Sequence, residues 1–271
     1  MCETELIARR RKRAPDEKAA RRAIAPARVL DLPSLEDKLT APQEPEPMSR
    51  GKALGYAIGS PLSLLALVFL PAGSIGWWPG WIFLAVVLLA FGLSALVLVR
   101  VNPIIYRARS RFQPGTKRWD KALVTVILLA IVAIVPIGAL DAGRFHCSAV
   151  PESLVGLGYA ALLAGMAGTT WAQAVNPFFE PGVRIQTERH QRVIDTGPYR
   201  FVRHPGYVSA LLLLVGMALS LESFWALAPV ALASAFLVLR TSWEDRLLRA
   251  ELAGYEDYSR RVRWRLIPGV W

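Results

Sequence analysis

The stretch YVSALLLLVGMALSLESFWALAPVALASAFLVL, Tyr207 to Leu239, consists of two apolar runs separated only by Glu222 and Ser223. An α-helix rises about 1.5 Å per residue, so each run is just long enough to cross most of the hydrocarbon core of a bilayer. The polar break between the runs leaves room only for a tight turn. The stretch therefore predicts two antiparallel transmembrane helices, here called the C-terminal hairpin.

Four longer apolar runs precede the hairpin, each close to the roughly 20 residues that a spanning helix needs. They are Ala53–Gly73, Trp77–Val99, Ala122–Leu140 and Leu154–Val175. The chain of 271 residues is 54% hydrophobic and carries a formal net charge of +11. A basic soluble protein would suggest nucleic acid as a partner, but nucleic-acid-binding domains do not carry such long uncharged runs. We therefore expect an all-α, polytopic membrane protein with about six transmembrane helices, a cytoplasmic C-terminal helix and no nucleic-acid partner.

The distribution of Lys and Arg predicts the orientation, because these residues gather in short cytoplasmic loops. With six spans and the N-terminus inside, the inside segments hold nearly all of them. Arg144 is then the one Lys or Arg residue in the connections on the outside. We expect a multi-pass protein of the bacterial inner membrane with both termini in the cytoplasm.

Composition divides the chain into three parts. Residues 1–50 are basic and proline-bearing, and the RRRKR run at Arg9–Arg13 either binds anionic lipid headgroups or belongs to a disordered tail that only enforces topology. Residues 51–175 form the N-terminal transmembrane helices, and residues 176–271 form the expected functional core. His146 and Cys147 have no further ligands at metal-like spacing, so we expect no metal site.

Polar clusters at span ends are candidates for function, because a bilayer disfavours unpaired polar groups. GPYRFVRHPGYVS, Gly197–Ser209, precedes the first arm of the hairpin, and RTSWED, Arg240–Asp245, ends the second arm. Pro205 suits the first position of a helix, whose free amides would suit an anion. Arg240 and Glu244 are spaced to share one helix face. The hairpin would then bring together four side chains: His204, Tyr207, Arg240 and Glu244.

The second motif continues to the C-terminus as RTSWEDRLLRAELAGYEDYSRRVRWRLIPGVW. Together the two motifs resemble the isoprenylcysteine carboxyl methyltransferase and phospholipid methyltransferase superfamily of integral membrane proteins. The resemblance extends from about Asn176 to the end, weakens toward Gly51 and covers none of the first 50 residues. It implies a methyltransferase that binds S-adenosylmethionine (SAM) on the cytoplasmic side. The acceptor would be a lipophilic small molecule or lipidated substrate that enters from the surrounding membrane lipids.

The resemblance also implies roles for particular residues. The cofactor pocket would include Gln186, His190 or Gln191, Val193, Ile194, Gly197, Tyr199, His204, Pro205, Tyr207 and Glu244. Arg240 would face the methyl acceptor, so Arg240 and Glu244 are the candidate catalytic residues. Many relatives have Glu-Glu where this chain has Glu244-Asp245, and the first acid is kept. Arg240 would hold a carboxylate of a prenylcysteine-like acceptor, or the phosphate beside a phospholipid amine.

Two other interpretations stay open. One is an NADPH-dependent reductase of the sterol type, which shares an Arg-His-Pro stretch but prefers Asn-Tyr where this chain has Gly206-Tyr207. The other is a non-enzymatic membrane protein, such as a scaffold or a transporter subunit, although the sequence shows no convincing internal repeat. Retention of SAM but not NADPH by the solubilised protein would distinguish the methyltransferase from the reductase.

Overall fold

The computed structural model describes residues 49–109 and 112–271, and over these residues the chain is built from helices joined by loops. The predicted basic segment, residues 1–50, lies outside the described residues except for its last two positions. The two interpretations of its RRRKR run therefore stay predictions.

A long helix covers each predicted apolar run to within a few residues, except that the last one continues past Leu239 to Glu251. The long helices are α1 (Arg50–Ala72), α2 (Trp78–Val101), α4 (Arg118–Gly138), α5 (Glu152–Val175), α6 (Pro205–Ser220) and α7 (Leu227–Glu251). Two short helices complete the set in the described ranges: α3 (Ile104–Arg109) and α8 (Tyr255–Arg261). A π-helical extension, Ala139–Phe145, continues α4. The all-α prediction is confirmed for the described part of the chain.

Three of the helices are long and apolar enough to cross a membrane: α2, α4 with its extension, and α5. Helix α1 has a shorter apolar part, Ile58–Ala72, and α6 has 16 residues. Helix α7 is apolar as far as Leu239 and polar beyond it. The span count of six and the orientation therefore stay predictions, although a helix forms at each predicted position.

Glycines allow α5 and α6 to pack with their backbones in close contact. A Cβ atom on Gly165 would lie 2.5 Å from the backbone nitrogen of Leu213, and one on Gly158 would lie 2.7 Å from Cβ of Leu219. Small residues bring membrane helices together in this way. Helix α6 therefore packs most extensively on α5, whereas α7 packs mainly on α4. The two arms of the C-terminal hairpin thus have different principal neighbours.

A buried carboxylate, Asp141, closes the end of the bundle where the α6–α7 turn lies, here called the turn end. Asp141 accepts hydrogen bonds from the Ser148 amide at 3.0 Å, from the Ser148 hydroxyl at 2.6 Å and from the Ser223 hydroxyl. Ser148 lies in the α4–α5 connection and Ser223 in the α6–α7 turn. These bonds tie the two connections together.

Candidate active site

A cavity of about 560 Å³ lies at the opposite end of the bundle, where α4 and α6 begin and α5 and α7 end. We call it the central cavity. Its volume is within the range of about 300–1,000 Å³ that is usual for small-molecule sites. One side is apolar and includes Val124, Ile127 and Ile131 of α4 together with Leu237 of α7. The other side, here called the polar side, carries the charged and amide side chains of the loop of residues 176–194 and of the ends of α6 and α7, together with aromatic and aliphatic side chains of the same loop.

Most of the site residues predicted from the sequence line the central cavity. They are Gln186, Gln191, Val193, Ile194, Tyr199, His204, Tyr207, Arg240 and Glu244. His190 lies outside the lining, because it is exposed and takes a left-handed conformation at the end of a 3₁₀ turn. Pro205 also lies outside the lining, as the buried first residue of α6.

Gly197 contributes to the site through its backbone. Its φ of +56° is a left-handed conformation that glycine adopts without strain. The 3₁₀ turn that begins at Gly197 directs the buried side chain of Tyr199 to the cavity. The Tyr199 hydroxyl accepts a hydrogen bond from Asn176 at 3.0 Å, which joins this turn to the end of α5.

Gln186 lines the cavity, but its amide group is committed to the loop that contains it. Its Nε2 donates to the carbonyl of Phe178 at 2.8 Å, and its Oε1 accepts from Arg189 at 2.7 Å. Its backbone amide donates to Oε1 of Gln191 at 2.7 Å. In this conformation Gln186 and Gln191 shape the polar side of the cavity by holding the loop together.

The four side chains expected at the base of the hairpin do meet in the structure. The Tyr207 hydroxyl donates a hydrogen bond to Oε2 of Glu244, and the Arg240 guanidinium lies 5.3 Å from the centre of the Tyr207 ring. The His204 ring is parallel to the Tyr207 ring at a centroid distance of 5.6 Å. Tyr207 is therefore the central member of this cluster.

The start of α6 offers fewer free amides than the sequence suggested. The amides of Tyr207 and Val208 both donate to the carbonyl of His204, at 3.1 and 3.3 Å. Those two groups are not available to an anion, because the first turn of the helix already uses them. The polar character of the site comes mainly from its side chains.

Asp120 in the first turn of α4 is a site residue that the sequence analysis missed. Its carboxylate is fully buried and accepts from Arg240 through Nε at 2.7 Å and through Nη2 at 3.2 Å. Such a two-pronged contact is among the strongest pairings that proteins form. The available signal was an acidic residue at the start of an apolar span, where a charge needs a partner.

Asp245 connects three separate segments, a role that the sequence analysis did not foresee. It accepts from Nε of Arg203 at 2.8 Å, from Nε of Arg265 at 3.0 Å and from the hydroxyl of Tyr255 at 3.0 Å. His204 Nε2 is 3.5 Å away. Burial by itself would raise the pKa of Asp245, but the neighbouring His204, Arg203 and Arg265 outweigh it and lower that pKa below its ordinary value. The carboxylate thus joins α7 to the segment before α6 and to the C-terminal tail.

Arg109 and Phe179 also line the cavity, and neither was predicted. The Arg109 guanidinium lies 5.1 Å from the centre of the Phe179 ring. A Cβ atom on Gly206 would come within 2.7 Å of the same ring. The glycine before Tyr207 therefore leaves the space that Phe179 occupies.

No group of three or more His, Cys, Asp or Glu side chains that could hold a metal ion occurs among the residues that the structure describes. Cys147 is a free, exposed thiol at the turn end.

Comparison with known proteins finds a family model that matches part of the chain. Residues 159–250, which extend from within α5 nearly to the end of α7, match the model of the isoprenylcysteine carboxyl methyltransferase (ICMT) family. The resemblance inferred from the sequence motifs is confirmed over that segment. Together with the apolar helices, the match supports an integral membrane protein of the methyltransferase class.

Two curated bacterial proteins are similar to part of the chain. The nickel-cobalt-cadmium resistance protein NccN of Alcaligenes xylosoxydans xylosoxydans is 34% identical over 106 residues, which cover 38% of this chain and 48% of the relative. The cobalt-zinc-cadmium resistance protein CzcN of Cupriavidus metallidurans is 36% identical over 81 residues, which cover 29% of this chain and 37% of the relative. The matched segments thus span less than half of either relative.

Proposed function

We propose that this chain is an integral membrane methyltransferase that moves a methyl group from SAM to a lipophilic acceptor at the cytoplasmic face of the membrane. The acceptor would be the carboxylate of a prenylcysteine-like compound or the amine of a phospholipid. One observation carries the proposal. The cavity next to the Tyr207–Arg240–Glu244 cluster, which falls within the segment matched to the ICMT family, continues along the apolar wall of α4.

The side chains around the polar part of the cavity fit the chemistry of SAM. When bound, SAM supplies an electrophilic methyl group on a positively charged sulfur. The electron-rich face of Tyr199 suits a cation, whereas the Tyr207 ring already lies against Arg240 and His204. Glu244 has one carboxylate oxygen, Oε1, beyond the oxygen that accepts from Tyr207, and this atom could accept hydrogen bonds from hydroxyl or amino groups. His204 lines the same space, and its Nε2 lies 3.5 Å from Oδ1 of Asp245.

The residues would accelerate methyl transfer by holding the reactants in line and excluding water, which can supply a large part of a reaction barrier. Glu244 and the tyrosines would fix the cofactor. Arg240 would hold the acceptor, and the apolar wall formed by Val124, Ile127 and Ile131 would receive its hydrocarbon part. With the polar ends of α5 and α7 in the cytoplasm, both reactants would meet at the membrane surface.

The names of NccN and CzcN refer to metal resistance, and that description applies to those two proteins. The lining of the central cavity is rich in apolar and aromatic side chains and in paired ionic groups. Such a lining suits a lipophilic acceptor better than a metal ion, which prefers converging carboxylate, imidazole or thiolate ligands. The family match likewise favours a methyltransferase over an NADPH-dependent reductase.

Methyl-labelled SAM added to membranes with and without the protein tests the proposal. We expect label in the lipid fraction only when the protein is present, and retention of SAM but not NADPH by the solubilised protein. Labelled phospholipid would indicate an amine acceptor, whereas base-labile label on a prenylated compound would indicate a carboxylate. Retention of NADPH without methyl transfer would overturn the proposal.

Two substitutions examine the proposed roles. Glu244→Gln should abolish transfer and weaken SAM binding, and Arg240→Ala should lower transfer by at least about 100-fold. Glu251→Gln is the matched control, because Glu251 lies on the same helix but pairs with Lys117 at 3.1 Å outside the cavity lining. Normal turnover of Glu244→Gln at low SAM would show that the assignment of Glu244 is wrong.

A further inference from the structure

Asp120 fixes how Arg240 presents its hydrogen-bond donors to the central cavity. A guanidinium has five N–H groups. The single N–H of Nε and one on Nη2 go to the Asp120 carboxylate, and Nη2 also donates to the carbonyl of Pro181 at 2.6 Å. These bonds use the hydrogen on Nε and both hydrogens on Nη2. The two hydrogens on Nη1 have no acceptor among the described residues.

Asp120 also holds the loop that supplies Pro181. Its Oδ2 accepts from the amide of Val183 at 2.7 Å, and the amide of Lys117 donates to the carbonyl of Val183 at 3.1 Å. The start of α4 and this part of the loop are therefore joined in both directions. One buried carboxylate sets the loop and the arginine at the same time.

Asp120 lies outside the segment matched to the ICMT family, which begins at residue 159. Its pairing with Arg240 therefore brings α4, from the N-terminal half of the chain, into the construction of the site. Helix α7 packs mainly on α4, and the pair lies at the end of that contact where the cavity is.

We propose that Asp120 is a positioning residue for methyl transfer, which orients Arg240 so that Nη1 alone is offered to the anionic group of the acceptor. The inference rests on the proposed function and adds a residue to it. Because a guanidinium tethered on one edge cannot rotate, the acceptor is held at a fixed distance from the bound cofactor. Asp120 touches neither reactant and acts through Arg240.

Asp120→Asn tests this role. An Asn at this position has one acceptor oxygen in place of two, so its NH₂ group must face a donor: either Nε of Arg240, or Nη2 of Arg240 together with the Val183 amide. We expect kcat for lipid methylation to fall roughly 10- to 100-fold, while the Kd for SAM changes less than about two-fold. Acceptor dependence is measured by diluting a total membrane lipid extract into phosphatidylcholine vesicles with methyl-labelled SAM.

Asp141→Asn is the matched control, because Asp141 is a second buried aspartate, in the π-helical extension of α4, and its partners Ser148 and Ser223 lie outside the cavity lining. It should lose stability without losing kcat. A second variant, Asp120→Ala, leaves space for a small carboxylate, so added formate should restore part of the lost activity and equal chloride should not.

Equal kcat in Asp120→Asn and wild type, or an equal loss in Asp120→Asn and Asp141→Asn with no rescue by formate, would overturn the positioning role. A wild-type protein that transfers no label would instead overturn the proposed function itself. The two failures are distinguishable, because the first requires an active wild type.

Discussion

Two buried aspartates at opposite ends of α4 and its extension show how differently the two ends of the bundle are built. Asp120 at the cavity end is paired with a guanidinium, that of Arg240. Asp141 at the turn end accepts from hydroxyl and amide groups, those of Ser148 and Ser223 together with the amide of Trp225. Both carboxylates are satisfied, but only Asp120 is paired with a residue that lines the central cavity.

The difference has a physical consequence. Neutral donors satisfy a buried carboxylate while joining loops, so Asp141 serves a closed, packed structure. A guanidinium that pairs with a carboxylate has further N–H groups that the carboxylate does not bind. In Arg240 these are the two hydrogens on Nη1. The cavity end therefore combines structural pairing with unused hydrogen-bonding capacity, whereas the turn end uses its polar groups for closure.

The largest expected effect comes from Asp245, another buried acid at the cavity end that has charged partners. Asp245→Asn would leave the Arg203 guanidinium, whose side chain is only 2% exposed, without its counter-charge. We expect a loss of about 3–5 kcal/mol in the free energy of unfolding, because a buried charge without its partner is costly. Thermal unfolding in detergent, compared with Glu256→Gln on the exposed side of α8, measures it. If Asp245→Asn lost no more unfolding free energy than Glu256→Gln, Asp245 would not have the structural role assigned to it.

The same carboxylate gives a pH dependence of defined sign. Its folded pKa is lowered relative to the ordinary value of about 3.9, so its contribution to stability is fully present above that value. The contribution is lost as the pH falls below about 3.9 toward the folded pKa. The stability difference between wild type and Asp245→Asn should therefore be constant from about pH 7 to pH 5 and shrink below about pH 4. A difference that shrinks near neutral pH would contradict this assignment.

Elements with a strong local signal were predictable from the sequence. The apolar runs of the C-terminal hairpin identified α6 and α7, and α6 begins at Pro205 because proline suits the first helical position. The spacing of Arg240 and Glu244 placed both on one face, and the hairpin brought that face to Tyr207.

Features that depend on contacts distant in sequence were not predictable. The pairing of Asp120 with Arg240 joins residues 120 positions apart, and no local pattern specifies it. The close packing of α5 on α6 depends on which glycines face each other, and this is set by the rotation of each helix about its axis. The role of Asp245 was missed because its partners lie before α6 and in the C-terminal tail.

A smaller effect is expected at the turn end. Asp141→Asn replaces an oxygen that accepts hydrogen bonds with a nitrogen that donates them, against neighbours that are themselves donors. We expect a loss of about 1–3 kcal/mol in the free energy of unfolding, the usual cost of an unsatisfied buried group. Unfolding and methyl transfer are measured on the same preparation. A fall in kcat for the protein that remains folded would contradict the separation of the two ends.

The smallest expected effect examines how tightly the cavity end is packed. Gly206→Ala places a Cβ atom 2.7 Å from the Phe179 ring, so the ring must move away from α6. We expect about 1 kcal/mol of lost stability, as for a slightly overfilled core, together with a higher KM for the acceptor. Gly92→Ala is the control, because a Cβ atom there meets nothing within 4 Å. An unchanged KM in Gly206→Ala would show that the cavity end tolerates displacement of Phe179, and that the precision of the site resides in the buried ion pairs alone.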